Sequence, residues 1–460
     1  MTRRKVDFVP LTPGAVRMYV CGVTPYDLCH VGHARAAIAF DVIRRYLAFR
    51  GYRVTFVRNY TDVDDKIIRR ASEEGVSASA LAERYIAAER EDMAALGVLR
   101  PDVAPKATEH IADMTALIER LLAGGFAYAV DGDVYFEVAR FPDYGRLSGK
   151  NLDELLAGAR VDVDERKRDP RDFALWKAAK PGEPVWPSPW GPGRPGWHIE
   201  CSAMAMRYLG ETFDIHGGGE DLIFPHHECE IAQAQAVTRR PFARVWVHNA
   251  FVNMGAEKMS KSLGNTLTIR ELVKRHEPEA IRLWLLGTHY RHPIEFTEER
   301  LREAARALER LRRPVHEVQP PGARAAAAAE AASPGVRRFT ERFEAAMDDD
   351  FNTPQALAAL FDLGSSLYAL RERAPADPDA AGELAAGRAE LQRLGRTLGL
   401  LGSAAAPASP PAEVEALAAE RQVARQRRDF ARADSLRQEI HRLGWVVEDT
   451  AAGPRLSPRR

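Results

Sequence analysis

The spacing of apolar residues near the N-terminus predicts a strand, a helix and a second strand. Residues 16–20 and 52–60 are rich in β-branched and aromatic side chains, as strands are. Between them, apolar positions recur at helical spacing over residues 33–50: Ile38, Val42, Ile43, Tyr46, Leu47 and Phe49. Because parallel strands need a crossover helix, this order indicates a βαβ unit in an open α/β sheet.

The next part of the chain predicts an insertion within that α/β domain. Helical patterns fill residues 77–124, and a polar segment of mixed character covers 125–180. Residues 181–197 are crowded with proline, glycine and tryptophan, which predicts a loop. Helix and strand patterns resume at 202–219, and we expect Pro225 to begin a further helix.

Beyond residue 268 the pattern is almost wholly helical. Residues 314–335 and 407–412 are rich in proline and alanine, and both are predicted as linkers, although a weak helix is also possible in the first. Residues 413–443 are amphipathic, with an apolar side formed by Leu417, Phe430, Ala433, Leu436, Ile440 and Leu443.

Composition excludes several classes of protein. The 460 residues are 45% hydrophobic and 28% charged, the mixture of a globular rather than a disordered chain. No run of about 18 apolar residues is present, so we expect no membrane span. No apolar stretch follows the charged first residues, so we expect no signal peptide. Four cysteines are too few for a disulfide framework, which favours a reducing compartment.

The first chemical motif is His30-Val31-Gly32-His33, at the junction between the first strand and its helix. Unpaired N–H groups at a helix N-terminus attract phosphate, and two histidines there can donate to phosphate oxygens. Gly32 would let a bound base or sugar approach the backbone. The alternative is a pair of helix-start histidines with no ligand.

The second motif is Lys-Met-Ser-Lys-Ser at 258–262, which holds two of the chain's ten lysines. A mobile loop that carries two ammonium groups suits a polyphosphate, because the negative charge on the polyphosphate grows in the transition state of phosphoryl-type chemistry. The alternative is a solvated surface loop.

A third group of residues has the chemistry of a metal site. His226 and Glu230 are four residues apart and so share a helix face. Two cysteines, one histidine and one carboxylate can bind zinc tetrahedrally. The residues alone do not choose Cys21 and Cys201 over Cys29 and Cys229, or His226 over His227.

The C-terminal segment is basic, although the whole chain has no net charge. From Val414 onward, ten arginines stand against seven acidic residues, and Phe430 and Trp445 add aromatic faces. Basic groups with stacking surfaces suit a single-stranded RNA loop. A solvated amphipathic hairpin is the alternative.

Taken together, these motifs resemble the cysteinyl-tRNA synthetases, a family of class I aminoacyl-tRNA synthetases. The resemblance covers nearly the whole chain, and the blocks around Cys21, Cys201 and His226 are the ones that specify cysteine. The matching blocks lie at residues 18–27, 30–33, 58–66, 196–202, 213–219, 224–228, 258–262, 347–354 and 427–434.

The resemblance implies an α/β Rossmann-type catalytic domain with an insertion, followed by helical regions and a small anticodon-binding domain. The implied boundaries are 1–105 and 196–267 for the split catalytic domain, 106–195 for the insertion, 268–335 for a stem-contact helical region, 336–405 for a helical bundle and 413–460 for the anticodon-binding domain.

The resemblance also implies roles for individual residues. One Zn²⁺ would be held by Cys21, Cys201, His226 and Glu230. ATP with Mg²⁺ would meet His30, Gly32, His33, Met259 and Lys261. The catalytic groups would be His30, His33, Lys258 and Lys261. Cysteine would be bound by Gly22, Thr61, Trp197 and Asp221.

The implied function is ATP-dependent ligation of L-cysteine to tRNA(Cys) through a cysteinyl-adenylate. We expect a cytoplasmic monomer that has no membrane contact. The alternative is the cysteine:amino-sugar ligase of mycothiol synthesis, which resembles the catalytic core but lacks the anticodon-binding extension. A non-catalytic tRNA-binding relative is disfavoured because both phosphate motifs are intact.

Overall fold

The predicted βαβ unit is confirmed in the computed structural model. Strand β1 (Ala15–Val23) leads to helix α1 (Val31–Phe49) and strand β2 (Arg53–Tyr60), which pairs with β1 in parallel. The structure describes residues 4–149, 166–254, 257–258, 267–316, 334–402, 412–427, 429–450 and 453–458. These residues divide into two units, Met1–Leu400 and Leu401–Arg460.

Three helices follow the βαβ unit. They are α2 (Asp65–Glu74), α3 (Ala78–Ala95) and α4 (Ile111–Ala123). Side-chain caps explain where the first two begin, since Asp64 accepts from the N–H of Lys66 and Ser77 from that of Ala80. The helical pattern predicted over 77–124 is therefore two helices, separated by a segment that pairs with β2 at two isolated positions.

A separate antiparallel sheet follows α4. Its strands are β3 (Ala127–Val130), β4 (Asp133–Phe136), β5 (Phe173–Ala178) and β6 (Gly193–Pro195), in that spatial order. Asp131 and Gly132 both have positive φ, which allows the tight turn between β3 and β4. The loop predicted over 181–197 contains β6, because backbone pairing with β5 holds this segment extended.

The parallel sheet is completed after this insertion. Helix α5 (Trp197–Leu209), strand β7 (Phe213–Gly219), helix α6 (Glu228–Thr238) and strand β8 (Ala243–Asn249) give the strand order β2-β1-β7-β8. Helical backbone begins at Pro225, as predicted: Phe224 before it is extended, and residues 225–227 have helical dihedral angles and lead directly into α6. The peptide bond between Phe224 and Pro225 is cis.

The rest of the first unit is mainly helical, as predicted, but contains three short strands. Its elements are β9 (Val252–Met254), β10 (Glu257–Lys258), α7 (Ile269–Arg275), α8 (Pro278–Leu286), β11 (Ile294–Phe296), α9 (Glu298–His316), α10 (Pro334–Asp348), α11 (Thr353–Arg373) and α12 (Pro378–Thr397). The linker predicted from 314 begins later than expected, because α9 continues through Pro314 to His316. Residues 317–333 lie outside the described part of the chain.

The second unit pairs two helices with a hairpin. Helices α13 (Ala412–Gln426) and α14 (Phe430–Arg442) are followed by the antiparallel strands β12 (Trp445–Thr450) and β13 (Gly453–Pro458). Trp445 packs into a small core with Val414 and Ile440, so the expectation that its ring is an exposed stacking face is wrong. The ring of Phe430 is 63% exposed.

Candidate active site at the carboxyl ends of the parallel strands

Four of the predicted site residues lie at or just beyond the ends of the parallel strands. Cys21 and Gly22 lie near the end of β1, Thr61 directly follows β2, and Asp221 lies two residues beyond β7. The carboxyl ends of parallel strands meet along one edge of a sheet, which is where open α/β folds bind ligands.

The two histidines of the first motif cap the N-terminus of α1, and each accepts a hydrogen bond from a backbone N–H. His30 Nδ1 accepts from the N–H of Gly32 at 3.1 Å, and His33 Nδ1 accepts from the N–H of His30 at 3.1 Å. Their rings lie 4.0 Å apart. Because Nδ1 accepts in both rings, the neutral form of each carries its proton on Nε2. That tautomer is the one that can donate to a phosphate oxygen.

Gly32 has a structural reason to lack a side chain. A Cβ at this position would lie 2.8 Å from His30 Cε1, closer than real Cβ contacts come. The imidazole of His30 folds over the backbone of Gly32, so glycine is required for the capping arrangement. A role for Gly32 toward ATP stays a prediction.

The described residues that follow the second motif are joined to the first motif by backbone hydrogen bonds. The N–H of Val31 donates to Leu267 O and the N–H of Ile269 donates to Cys29 O, both at 3.0 Å. At the other end, the backbone of Lys258 pairs with Asn253 in the β9–β10 ladder. Met259 and Lys261 lie outside the described residues.

Four predicted metal ligands converge from three separate parts of the chain. Cys21 Sγ lies 3.7 Å from Cys201 Sγ and 3.3 Å from Glu230 Oε1, and His226 Nε2 lies 3.0 Å from the same carboxylate oxygen. One donor atom from each of the four lies within 4.8 Å of the others. Two sulfurs, an imidazole nitrogen and a carboxylate oxygen are a donor set that suits zinc.

A second group shares two of these residues. His216 and His227 also come within 4.8 Å of Cys21 and Glu230, and His216 Nε2 lies 2.8 Å from Glu230 Oε2. The other cysteines of the sequence analysis lie apart from both groups. Cys229 Sγ contacts the hydroxyl of Tyr144 at 3.2 Å, and the carbonyl of Cys29 accepts the hydrogen bond from Ile269.

The electrostatics of the cluster favour the anionic forms of Cys201 and Glu230, whereas burial raises the pKa of Cys21 well above its usual range. A hydrogen bond from Cys21 lowers the pKa of the Cys201 thiol to about 6 against the effect of burial. Burial raises the pKa of Glu230, but His216 and His226 outweigh it and hold that pKa well below its usual range. A thiolate and a carboxylate in one buried site suit a divalent cation, since metals bind deprotonated ligands.

Trp197 forms an aromatic wall beside the cluster. Its ring stacks on His226 with centroids 4.4 Å apart and planes 19° apart, and it is 39% exposed. The ring of His198 meets the same imidazole, Nδ1 to Nδ1, at 2.9 Å. The start of α5 therefore orients the predicted histidine ligand as well as supplying Cys201.

Asn59 hydrogen-bonds to two of the predicted cysteine-binding residues, although it was not itself among the predicted site residues. Its Oδ1 accepts from the N–H of Gly22 at 2.8 Å and its Nδ2 donates to Thr61 Oγ1 at 3.3 Å. Gly22 also packs so closely that a Cβ there would lie 1.6 Å from Asn59 O. A polar residue within a strand otherwise rich in β-branched and aromatic residues was the available signal.

Asp221 lies apart from the buried cluster. It belongs to a single helical turn, Glu220–Leu222, and it is exposed. A Cβ on Gly219 would lie 2.4 Å from its Oδ1, so the glycines that end β7 leave room for this carboxylate.

Family comparisons agree with this fold. The profile of the class I (C) tRNA synthetase catalytic domain matches residues 7–306, and that of the DALR domain matches 342–402. The profile of the cysteinyl-tRNA ligase anticodon binding domain matches residues 409–453. The fold is therefore that of a class I tRNA synthetase.

Similar curated proteins identify the family within that class. A cysteine–tRNA ligase of Geobacter sulfurreducens is 54% identical, with 98% of this chain and 96% of that protein covered. One from Symbiobacterium thermophilum is 52% identical, with 99% and 98% covered. The chain belongs to the cysteine–tRNA ligase family.

The fold is shared more widely than the sequence. Methionyl-tRNA synthetase of Mycobacterium tuberculosis, solved with methionyl-adenylate, gives a TM-score of 0.60 at 18% identity. The match covers 84% of this chain and 90% of that one. In the described part of this chain, no helix combines the length and apolar character that crossing a membrane requires.

Proposed function

We propose that the chain ligates L-cysteine to tRNA(Cys) in two ATP-dependent steps. In the first step a carboxylate oxygen of cysteine attacks the α-phosphorus of ATP, and pyrophosphate leaves. In the second step a ribose hydroxyl of the tRNA attacks the acyl carbon of the cysteinyl-adenylate, and AMP leaves. The observation that carries the proposal is the buried cluster of Cys21, Cys201, His226 and Glu230 at the strand ends, in a chain 54% identical to a cysteine–tRNA ligase.

Zinc is the metal that we propose for this cluster, one ion per chain. Its ligands would be Cys21, Cys201, His226 and Glu230. When bound, zinc would accept a thiolate far better than a hydroxyl, which provides discrimination between cysteine and serine. Around it, Glu230 is held by two imidazoles and His226 is stacked on Trp197, so the protein groups are fixed in advance.

The rest of cysteine would be held by residues at the rim of the cluster. We assign the amino group to the Asp221 carboxylate, and we assign Gly22, Thr61 and Trp197 to the pocket walls. Asn59 supports two of these walls through its hydrogen bonds to Gly22 and Thr61. It therefore acts as a positioning residue.

ATP, as its Mg²⁺ complex, would lie over the N-terminus of α1. His30 and His33 would donate from Nε2 to phosphate oxygens, next to Gly32. Lys258 ends β10, and Met259 and Lys261 follow it in the sequence, ahead of Leu267, whose carbonyl accepts from the N–H of Val31. The two ammonium groups would stabilise the charge that develops on the α-phosphate and pyrophosphate.

The remaining assignments concern the whole chain. We propose a split catalytic domain of 1–105 and 196–267, an insertion of 106–195, a stem-contact region of 268–335, a bundle of 336–405 and an anticodon-binding domain of 413–460. The match to the cysteinyl-tRNA ligase anticodon domain at 409–453 favours tRNA(Cys) over an amino sugar as the acceptor. We further propose a monomer that works in the cytoplasm.

The proposal is tested by charging. Purified protein with ATP, Mg²⁺ and labelled cysteine should transfer the label to tRNA(Cys), while labelled serine should remain free. Cysteine-dependent exchange between ATP and pyrophosphate without transfer to tRNA would indicate the amino-sugar ligase. Absence of both reactions would contradict the catalytic proposal.

Lys261→Ala should slow adenylate formation mainly through kcat. The ammonium group would meet the phosphates most strongly as charge develops, so its loss raises the transition state more than the bound ground state. We expect a decrease of about 100-fold in kcat, the size seen when one electrostatic donor is removed. Pyrophosphate exchange at saturating ATP measures it, and an effect confined to the KM for ATP would contradict the role.

A further inference from the structure

Three consecutive aspartates at the end of α10 each contact a different segment that precedes them in the first unit. Asp348 accepts from the hydroxyl of Tyr46 at 2.7 Å, on the last turns of α1. Asp349 pairs with Lys5 at 2.6 Å, and both side chains are more than half exposed. Asp350 turns inward, with only 14% of its side chain exposed.

Asp350 holds the turn that follows α8. Its carboxylate accepts from the hydroxyl of Tyr290 at 2.6 Å and from two guanidinium nitrogens of Arg291 at 2.5 and 3.0 Å. Its own carbonyl lies 3.0 Å from His289 Nε2. Three successive residues of the turn are therefore fixed by one aspartate.

The backbone at this point is held in an unfavourable conformation. Asp350 and Phe351 have φ of +60° and +54°, a left-handed region that costs free energy for residues other than glycine. The surrounding contacts compensate for it: Phe351 packs edge-on against Tyr46, and Thr353 Oγ1 donates to Leu286 O at 2.8 Å. The position of the Asp350 carboxylate is consequently well defined.

The same turn supports the helix that bears the first phosphate motif. Arg35, two residues after His33, is buried, and its guanidinium donates to the carbonyls of Leu285, Thr288 and His289. The segment after α8 thus anchors the first two turns of α1, which also carry His33.

The turn also supports the strand that leads into the second motif. The N–H of Ala250 donates to Tyr290 O at 2.8 Å, and the N–H of Ile294 donates to Phe251 O at 3.0 Å. Strand β11 then pairs with β9, and β9 pairs with β10, which ends at Lys258. Residues 288–294 therefore contact the supports of both phosphate motifs.

We infer that Asp350 is a positioning residue for adenylate formation: it fixes the turn at 289–291 and, through that turn, the placement of α1 and β9. The inference rests on the proposed function, since it needs ATP to lie between the two motifs. Asp350 itself touches no reacting atom. Its effect comes from geometry, because small displacements of catalytic groups slow a reaction strongly.

The test compares Asp350→Asn with Asp349→Asn, in cysteine-dependent exchange between ATP and pyrophosphate. Both changes remove one charge from the same turn, but only Asp350 bonds to the 289–291 turn. Tyr290 and one guanidinium nitrogen of Arg291 donate to Oδ1, whereas Nε of Arg291 donates to Oδ2. An amide has one acceptor oxygen, so the variant loses at least one of these hydrogen bonds and places an NH₂ group against a donor. We expect kcat to fall about tenfold in Asp350→Asn, with KM for cysteine and ATP within about twofold. Asp349→Asn should match the unmodified protein.

Further measurements distinguish a positioning role of Asp350 from an effect on folding, and failure of this inference from failure of the proposed function. Exchange is assayed well below the melting temperature of each variant, and zinc content is measured alongside. A lower melting temperature with unchanged kcat in Asp350→Asn would overturn the inference. If that variant does not fold, Tyr290→Phe replaces it, with an expected kcat loss of about threefold, and an unchanged kcat overturns the inference equally. Absence of exchange in the unmodified protein would instead refute the proposed function.

Discussion

Cys201→Ala should yield a protein that retains little zinc and has lost its preference for cysteine over serine. Cys201 is buried and lies within contact distance of Cys21, and a hydrogen bond from that neighbour lowers its pKa to about 6. Alanine removes one of two soft sulfur ligands. We expect metal affinity to fall by more than about 100-fold, since even an outer-shell change costs up to that much.

Selectivity for cysteine over serine should decrease when the metal is lost. A site that requires one specific bond rejects an analogue that lacks it by large factors, and the loss of that bond removes the discrimination. We expect the ratio of kcat/KM for cysteine to that for serine to decrease by at least about 100-fold. Elemental analysis gives the zinc content, and pyrophosphate exchange with each amino acid gives the ratio.

Two further variants make this result specific. Cys229→Ala removes another buried cysteine, which contacts Tyr144, and should leave zinc and selectivity unchanged. Cys21→Ala should abolish zinc binding whichever group holds it, because both candidate groups contain Cys21 and Glu230. Normal zinc and cysteine activation in Cys201→Ala, with loss in Cys21→Ala, would contradict our assignment and favour the group with His216 and His227.

Local patterns were sufficient to predict the sheet and its edge. The apolar spacing of α1 and the β-rich segments on either side defined the βαβ unit, and therefore located Cys21 and Thr61 at strand ends. The glycine and histidine residues at 30–33 were predicted to lie where the helix starts, and the structure places the N-cap of α1 at His30. In each case the signal lies within a few residues along the chain.

Long-range contacts were beyond the sequence patterns. The residues alone could not choose Cys201 over Cys229, since both are buried on helices and differ only in which neighbours they meet. The exposed face predicted for Trp445 was wrong because strand pairing turns this ring into the core of the second unit. Asn59 was missed because its partners, Gly22 and Cys201, are far away in the sequence.

Asp41→Ala should strongly destabilise the first unit. Asp41 lies on α1 with 1% of its side chain exposed, and it pairs with Arg282, which is fully buried on α8. It also accepts from Arg45 Nε at 2.8 Å and from the N–H of Leu99 at 3.0 Å. Without it, a buried guanidinium whose pKa is already lowered by burial loses its carboxylate partner. We expect a loss of about 3 kcal/mol in unfolding free energy.

An exposed ion pair serves as the control for the expected loss in unfolding free energy. Asp362 pairs with Arg342 at 2.8 Å, but both side chains are 54% exposed, so Asp362→Ala should cost less than about 1 kcal/mol. Urea unfolding followed by a probe in the first unit gives both values. Asp41→Ala/Arg282→Met should recover part of the loss, because replacing both partners leaves no buried unpaired charge. If Asp41→Ala costs no more than Asp362→Ala, Arg282 does not depend on Asp41, and its bond of 2.7 Å to Leu398 O is sufficient to hold it.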